Sequence, residues 1–156
     1  MVGRVALAVI MCSIIMVSGV SAEKTALSQD EIAIRKAIES YEDSYNRGDA
    51  STAAAHWSRD GSYIGRDGER AKGPGEIGPV LQKLFSEHKG IQAKVALFDV
   101  QLQSPDLAIS KGFAGFRSPG EDDEEVLFTA TLVKENGTWK LSKVEEDESP
   151  VPIGTI

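Results

Sequence analysis

From Ile91 to Glu146 the chain is written almost entirely in strands: "IQAKVALFDVQLQ", "LAISKGFAGFR", "VLFTATLVK" and "TWKLSKVEE" are rich in β-branched and aromatic residues and separated by short polar breaks. The last break is Asn136-Gly137, a pair that tolerates positive φ at both central positions of a two-residue turn and so predicts a tight hairpin. Consecutive strands with short connections pair with their neighbours, which makes this half an antiparallel sheet. In "VLFTATLVK" Leu127 and Val133 share one face while Val126, Phe128, Ala130 and Leu132 share the other. Helices can cover only one of these faces, so the outer face is expected to meet a second copy of the chain in a homodimer. In the first strand Ala96, Phe98, Val100 and Leu102 form the inward set, which turns Asp99 away from the interior.

The preceding part reads as helices. "SQDE" at Ser28–Glu31 fits a capping box, in which the Ser28 side chain accepts from the Glu31 N–H and the Glu31 carboxylate reaches back. Ile34, Ile38, Tyr41 and Tyr45 then make one apolar stripe, and Gly48 ends the helix. Asp49 caps a shorter helix whose Ala50, Ala53, Ala54 and Trp57 share a face, with His56 near its end. "SRDG" breaks the helix, "SYIG" is a short strand and "RDG" a hairpin turn. A third helix carries Ile77, Val80, Leu81, Leu84 and Phe85, with Pro79 in its first turn and Gly90 after its end. Helices, a small hairpin, a helix and a run of strands define an α+β fold: three N-terminal helices closing one side of a curved antiparallel sheet.

Residues 1–22, "MVGRVALAVIMCSIIMVSGVSA", have a basic n-region, an apolar h-region and a small-residue site ending at Ala22, so a cleaved secretory signal peptide is expected. That predicts a secreted or periplasmic protein with no membrane association after cleavage. Residues 23–156 then make one domain, with a Pro-containing tail at 148–156. The single cysteine, Cys12, leaves with the signal, so the domain relies on packing and not on disulfides. Without Arg4 the balance is 16 Lys and Arg against 24 Asp and Glu, which excludes nucleic acid as the expected partner. The acidic runs "EDDEE" (121–125) and "EEDE" (145–148) lack the spacing of a calcium loop and read as a solvated loop and a charged tail.

Polar candidates concentrate in "HWSRDGSYIGRDGER", residues 56–70. His56 and Asp60 are four apart, but the helix ends between them and no second histidine adjoins, so neither a metal site nor any cofactor is expected. Asp60 can bond backbone N–H groups of the turn, and it and Tyr41 are the weak catalytic candidates. Arg66 and Asp67 belong to the hairpin turn; Arg70 and Lys72 flank the rim, where they hold an anionic ligand or are solvated. His88 at the end of the third helix is explained by the helix dipole.

The element order, with "YNRGD" at 45–49, "HWSRDGSYI" at 56–64 and "KGPGEI" at 72–77, resembles the nuclear transport factor 2-like superfamily, and within it the small exported SnoaL-like proteins of the SgcJ/EcaC type. The resemblance implies a cone: a strongly bent sheet closed by three helices around an apolar pocket, with a dimer interface on the outer sheet face. Against the ketosteroid isomerases of that superfamily, the tyrosine donor aligns with Tyr41, the base with Gly65 and the second acid with Thr129. Glycine has no side chain and threonine is a poor base, so steroid-isomerase chemistry is disfavoured. The expected function is therefore an exported domain binding a small apolar or amphipathic molecule, with Tyr41, Tyr45, Trp57, Tyr63, Phe113 and Thr129 as the ligand-binding set. The alternatives are an isomerase, dehydratase or cyclase using Tyr41 as donor to an oxyanion, or a dimeric protein-interaction module.

Overall fold

A computed structural model describes residues 27–147; the expected signal peptide and the tail from residue 148 lie outside them. The element order is α1 (Gln29–Asn46), α2 (Ala50–Ala54), β1 (Trp57–Ile64), β2 (Arg70–Lys72), α3 (Gly73–Glu87), β3 (Gln92–Ser104), β4 (Leu107–Arg117), β5 (Glu124–Glu135) and β6 (Thr138–Glu146). Ser28 caps α1 by accepting from Glu31 N at 3.1 Å. The other half of the capping box is not made, because the Glu31 carboxylate accepts from Arg35 one turn on, at 2.9 Å. Asp49 caps α2 through the Thr52 N–H at 3.0 Å. Pro79 is in the interior of α3 and not in its first turn, since the helix already begins at Gly73. The carbonyl that faces its missing N–H belongs to Gly75, whose surroundings are open enough for the backbone to yield.

The six strands form one sheet in the order β2-β1-β6-β5-β4-β3. All neighbours are antiparallel except β1 and β6, which run parallel, with Trp57 opposite Leu141 and Tyr63 opposite Val144. The parallel pair follows from connectivity: β1 leads through β2 and α3 to the far edge, and three hairpins return the chain to β1's free side. Trp57 therefore opens β1 and does not extend the α2 face. Asn136 (φ 51°) and Gly137 (φ 78°) form the β5–β6 turn.

Register shifts bend the sheet. They fall between Trp57 and Ser62, between Leu97 and Asp99, between Leu102 and Ser104, and between Thr131 and Leu132. In β3 the shift leaves Phe98 as the extra residue. Leu97 pairs with Gly112 and Val100 with Ser110, so both face the core, while Phe98 is 62 % exposed on the outside. The inward set is thus Ala93, Val95, Leu97 and Val100, not the even-numbered series. Asp99 still points outward, opposite Lys111. At Gly112 the Phe128 ring comes so close that an added Cβ would stand 2.8 Å from it, and it would also collide with the Ala96 carbonyl oxygen.

The core lies between the concave face and the helices, with Ile34, Ala53, Ala108, Ala130 and Leu132 essentially sealed from solvent. Helix α1 also satisfies the free edge of β3. Asn46 accepts from Ala93 N at 2.6 Å and donates to Ala93 O at 3.0 Å. Glu42 accepts from Val95 N at 2.7 Å, and Arg35 donates to Leu97 O at 2.9 Å. Side chains of a helix thus take the place of a seventh strand over residues 93–97.

Candidate functional site

Between α1, α3 and the concave sheet is a cavity of about 440 Å³. Its walls are mainly apolar, among them Ile38, Ile77, Leu81, Val126 and Phe128. Four aromatic residues gather at one end. Tyr41 and Tyr45 come from the inward stripe of α1, and Trp57 and Tyr63 from the inner face of β1. The Trp57 ring stands nearly perpendicular to Tyr41 and to Tyr63, at 6.4 Å between centroids in each case. Tyr45 stacks edge-on against Phe85 at 5.0 Å.

Polar atoms in this aromatic corner are sparsely satisfied. The Trp57 indole N–H is buried without a hydrogen-bond partner among the described residues. It lies near enough to the Tyr41 hydroxyl to favour the phenolate slightly, yet without hydrogen-bond geometry. Burial outweighs this and pushes the Tyr41 phenol up to about 12. Tyr45 and Tyr63 are raised as well, by burial first; the next cause is the charge of neighbouring Tyr41 for Tyr45, and of Glu146 for Tyr63. All three are neutral donors at neutral pH.

One carboxylate enters the corner. The Tyr63 hydroxyl donates to Glu146 Oε1 at 2.7 Å, and the Arg66 N–H reaches Oε2 at 3.4 Å. Glu146 belongs to the run read from the sequence as a solvated tail, and here it lines the cavity. The cause is the shift opposite Thr131–Leu132. Leu141 faces inward opposite Leu132, and the extra residue Ser142 resets the pleat, so Val144 pairs with Ala130 and Glu146 with Phe128, both on the inner face. Gly65, the position aligned with an isomerase base, adjoins this pair. A Cβ added there would lie 3.1 Å from the Tyr63 hydroxyl and 3.1 Å from Asp67 Oδ1. The carboxylate beside the Tyr63 hydroxyl thus comes from β6. Its only sequence signal was the acidic residue closing the last strand.

Two expected lining residues are elsewhere. Phe113 is 39 % exposed on the outer face opposite Leu127, because the inward residues of β4 are Ala108, Ser110, Gly112 and Ala114. Thr129 is on the same outer face, between the inward-pointing Phe128 and Ala130. Asp60 is exposed on β1 and receives no hydrogen bond from the turn among the described residues; the backbone bends there without it. Arg70 and Lys72 are exposed and do not line the cavity. His56 holds α2 to α1, with Nδ1 at 2.8 Å from Thr52 O and Nε2 at 2.9 Å from Ser40 Oγ.

Beyond the dipole of α3, His88 Nδ1 has a partner in the Glu121 carboxylate at 3.0 Å. The acidic loop is divided among separate cations, with Arg117 on Asp123 and Arg66 on Glu124. Among the described residues no group of three His, Cys, Asp or Glu side chains could hold a metal ion.

The SnoaL-like domain matches residues 34–147. No curated protein matches the chain. Solved structures share the fold at low identity. A domain of unknown function with a cystatin-like fold from Nostoc punctiforme superposes with a TM-score of 0.72 at 23 % identity, covering 81 % of this chain and 82 % of that one. A candidate scytalone dehydratase from Novosphingobium aromaticivorans gives 0.67 at 18 %, with 81 % and 95 % covered. A ketosteroid isomerase-like protein from Erwinia carotovora atroseptica gives 0.63 at 20 %, with 80 % and 100 % covered. Identities this low carry the architecture and not the chemistry.

Proposed function

We infer from two facts together, that the chain belongs to the SnoaL-like domain family and that its cone encloses a cavity of about 440 Å³, that it binds a small, largely apolar molecule. The observation that carries this reading is the polar corner of an otherwise apolar cavity, where the buried Trp57 N–H lacks a partner. A buried donor left unpaired costs about 1–3 kcal/mol, which an acceptor on a ligand would recover. The first 22 residues support export of the protein. The exposed Phe98, Leu107, Ile109 and Phe113 on the outer sheet face support a homodimer.

Native mass spectrometry of the protein isolated from its source tests the binding reading. A co-purifying small molecule that is lost on Tyr41→Phe or Trp57→Phe supports it. An empty protein whose variants behave like wild type favours a protein-interaction module.

A second reading, enzymatic turnover of the bound molecule, is favoured by Glu146. A carboxylate can take a proton from a carbon beside a carbonyl, while the neutral Tyr41 phenol donates to the developing oxyanion. The relatedness in fold to a candidate scytalone dehydratase and a ketosteroid isomerase-like protein is compatible with this chemistry. Its test is deuterium uptake from heavy water into the ligand so identified: Glu146→Gln abolishes uptake while preserving binding, or the reading fails.

A further inference from the structure

The charges around the cavity are strongly one-sided. Eight carboxylates line it against two permanently charged cations, Arg66 and Lys83. Both cations are already committed: Arg66 bridges to Glu124, and Lys83 approaches Glu87 at 3.9 Å. Four lining carboxylates, Asp67, Glu69, Asp122 and Glu146, have no cationic partner among the described residues. Apolar walls around like charges focus their field into the opening, so the potential there opposes an anion and attracts a cation.

The arrangement inside the cavity points the same way. Glu146 is the one of these four carboxylates that reaches the aromatic corner, where Tyr63 supplies a neutral hydroxyl to it at 2.7 Å. That hydrogen bond leaves the negative charge in place. Beside it stand the Tyr41, Trp57 and Tyr63 rings, whose faces attract cations through their quadrupoles. The Trp57 N–H, on a side chain only 5 % exposed, calls for an acceptor in the same corner. A ligand that answers both groups carries an oxygen acceptor and a positive charge on an apolar body.

We propose that the cavity selects a cationic amphiphile, an apolar molecule bearing a protonated or quaternary amine and an oxygen acceptor, with the ammonium against Glu146 and the aromatic rings. The selection rests on the binding reading above and adds the charge of the ligand to it. Fatty acids, phosphate esters and other anions are excluded by the same field.

Three aryl ketones that differ only in the end of one chain test it: γ-dimethylaminobutyrophenone, valerophenone and γ-benzoylbutyrate, with tryptophan fluorescence reporting affinity. The amine binds about tenfold tighter than valerophenone, the carboxylate binds weakest, and added salt weakens the amine alone. Glu146→Gln, which keeps an acceptor for Tyr63, abolishes the amine's advantage of about tenfold over valerophenone when both are measured in the same variant. Should Glu146→Gln fold poorly, Glu69→Gln at the rim lowers the amine's advantage in wild-type-like protein. Valerophenone binding as well as the amine, or the carboxylate binding best, overturns the charge selection and leaves the binding reading standing. No binding by any of the three at millimolar concentration overturns both.

Discussion

The Tyr63 hydroxyl and Glu146 Oε1, 83 residues apart in sequence, meet at 2.7 Å and join β1 to β6 at the polar end of the cavity. Their strands are the parallel neighbours of the sheet, so this contact fastens the one pairing that no hairpin holds. Tyr63 and Val144 are paired residues there, which brings the side chain of Glu146, two residues on, alongside the ring.

Tyr63→Phe removes the donor and leaves the carboxylate with only the long contact from Arg66 N. A loss of about 1.5–3 kcal/mol is expected in urea denaturation at neutral pH, the usual size for a hydrogen bond to a charged group. Gly65→Ala reaches a similar result by another route, since its new methyl crowds the Tyr63 hydroxyl at 3.1 Å. The two substitutions together cost less than the sum of each alone, because both break the same contact.

Alkaline titration reads the tyrosines. The Tyr41 phenol is pushed from its ordinary value near 10 to about 12, chiefly by burial. An acid whose folded pKa is raised gives stability that is intact below the unfolded value and is lost as pH climbs through the folded one. Stability therefore declines between about pH 10 and 12, and Tyr41→Phe makes that decline shallower. Tyrosinate absorbance in the folded protein appears correspondingly late.

The helix-to-edge bonds are tested at Asn46, which both accepts from and donates to Ala93. Asn46→Ala exposes or strands both groups and costs about 1–3 kcal/mol. Hydrogen exchange localises the effect: the Ala93 amide exchanges faster while amides in the β5–β6 hairpin keep their protection.

Dimerisation through the outer face is tested at Phe113, whose side chain is turned away from the cavity. Phe113→Glu yields a monomer in sedimentation equilibrium and leaves ligand binding unchanged. A wild-type protein that sediments as a monomer removes the proposal at once.

Much of this architecture was legible in the residues. The strands Leu107–Arg117 and Thr138–Glu146 have the bounds their composition and flanking turns predict, and the Ser28 and Asp49 caps form as expected. Tyr41, Tyr45, Trp57 and Tyr63 do converge on one cavity. Phe98 and Glu146 could not be read correctly, and the reason is shared. Facing is a parity property, and one extra residue reverses it for everything that follows. Bulges depend on what a strand pairs with, which alternation within that strand does not encode. Phe98 and Ser142 each occupy such a step; the latter turns Glu146 from tail to wall. Phe113 and Thr129 lie on strands that pair without a shift, so plain alternation alone turns both outward, and a position aligned with an isomerase acid does not carry that information.

The bonds from Arg35, Glu42 and Asn46 to the β3 backbone bear on how copies of this protein can meet. A bare sheet edge invites another strand, and successive additions propagate without limit into fibres. Along residues 93–97 four of the hydrogen-bonding groups that an incoming strand would seize, Ala93 N and O, Val95 N and Leu97 O, are already occupied by α1. At the opposite end β2 offers only three residues. A protected edge of this kind fits the proposed homodimer, in which two copies would close on each other across the outer surface by a twofold axis and stop.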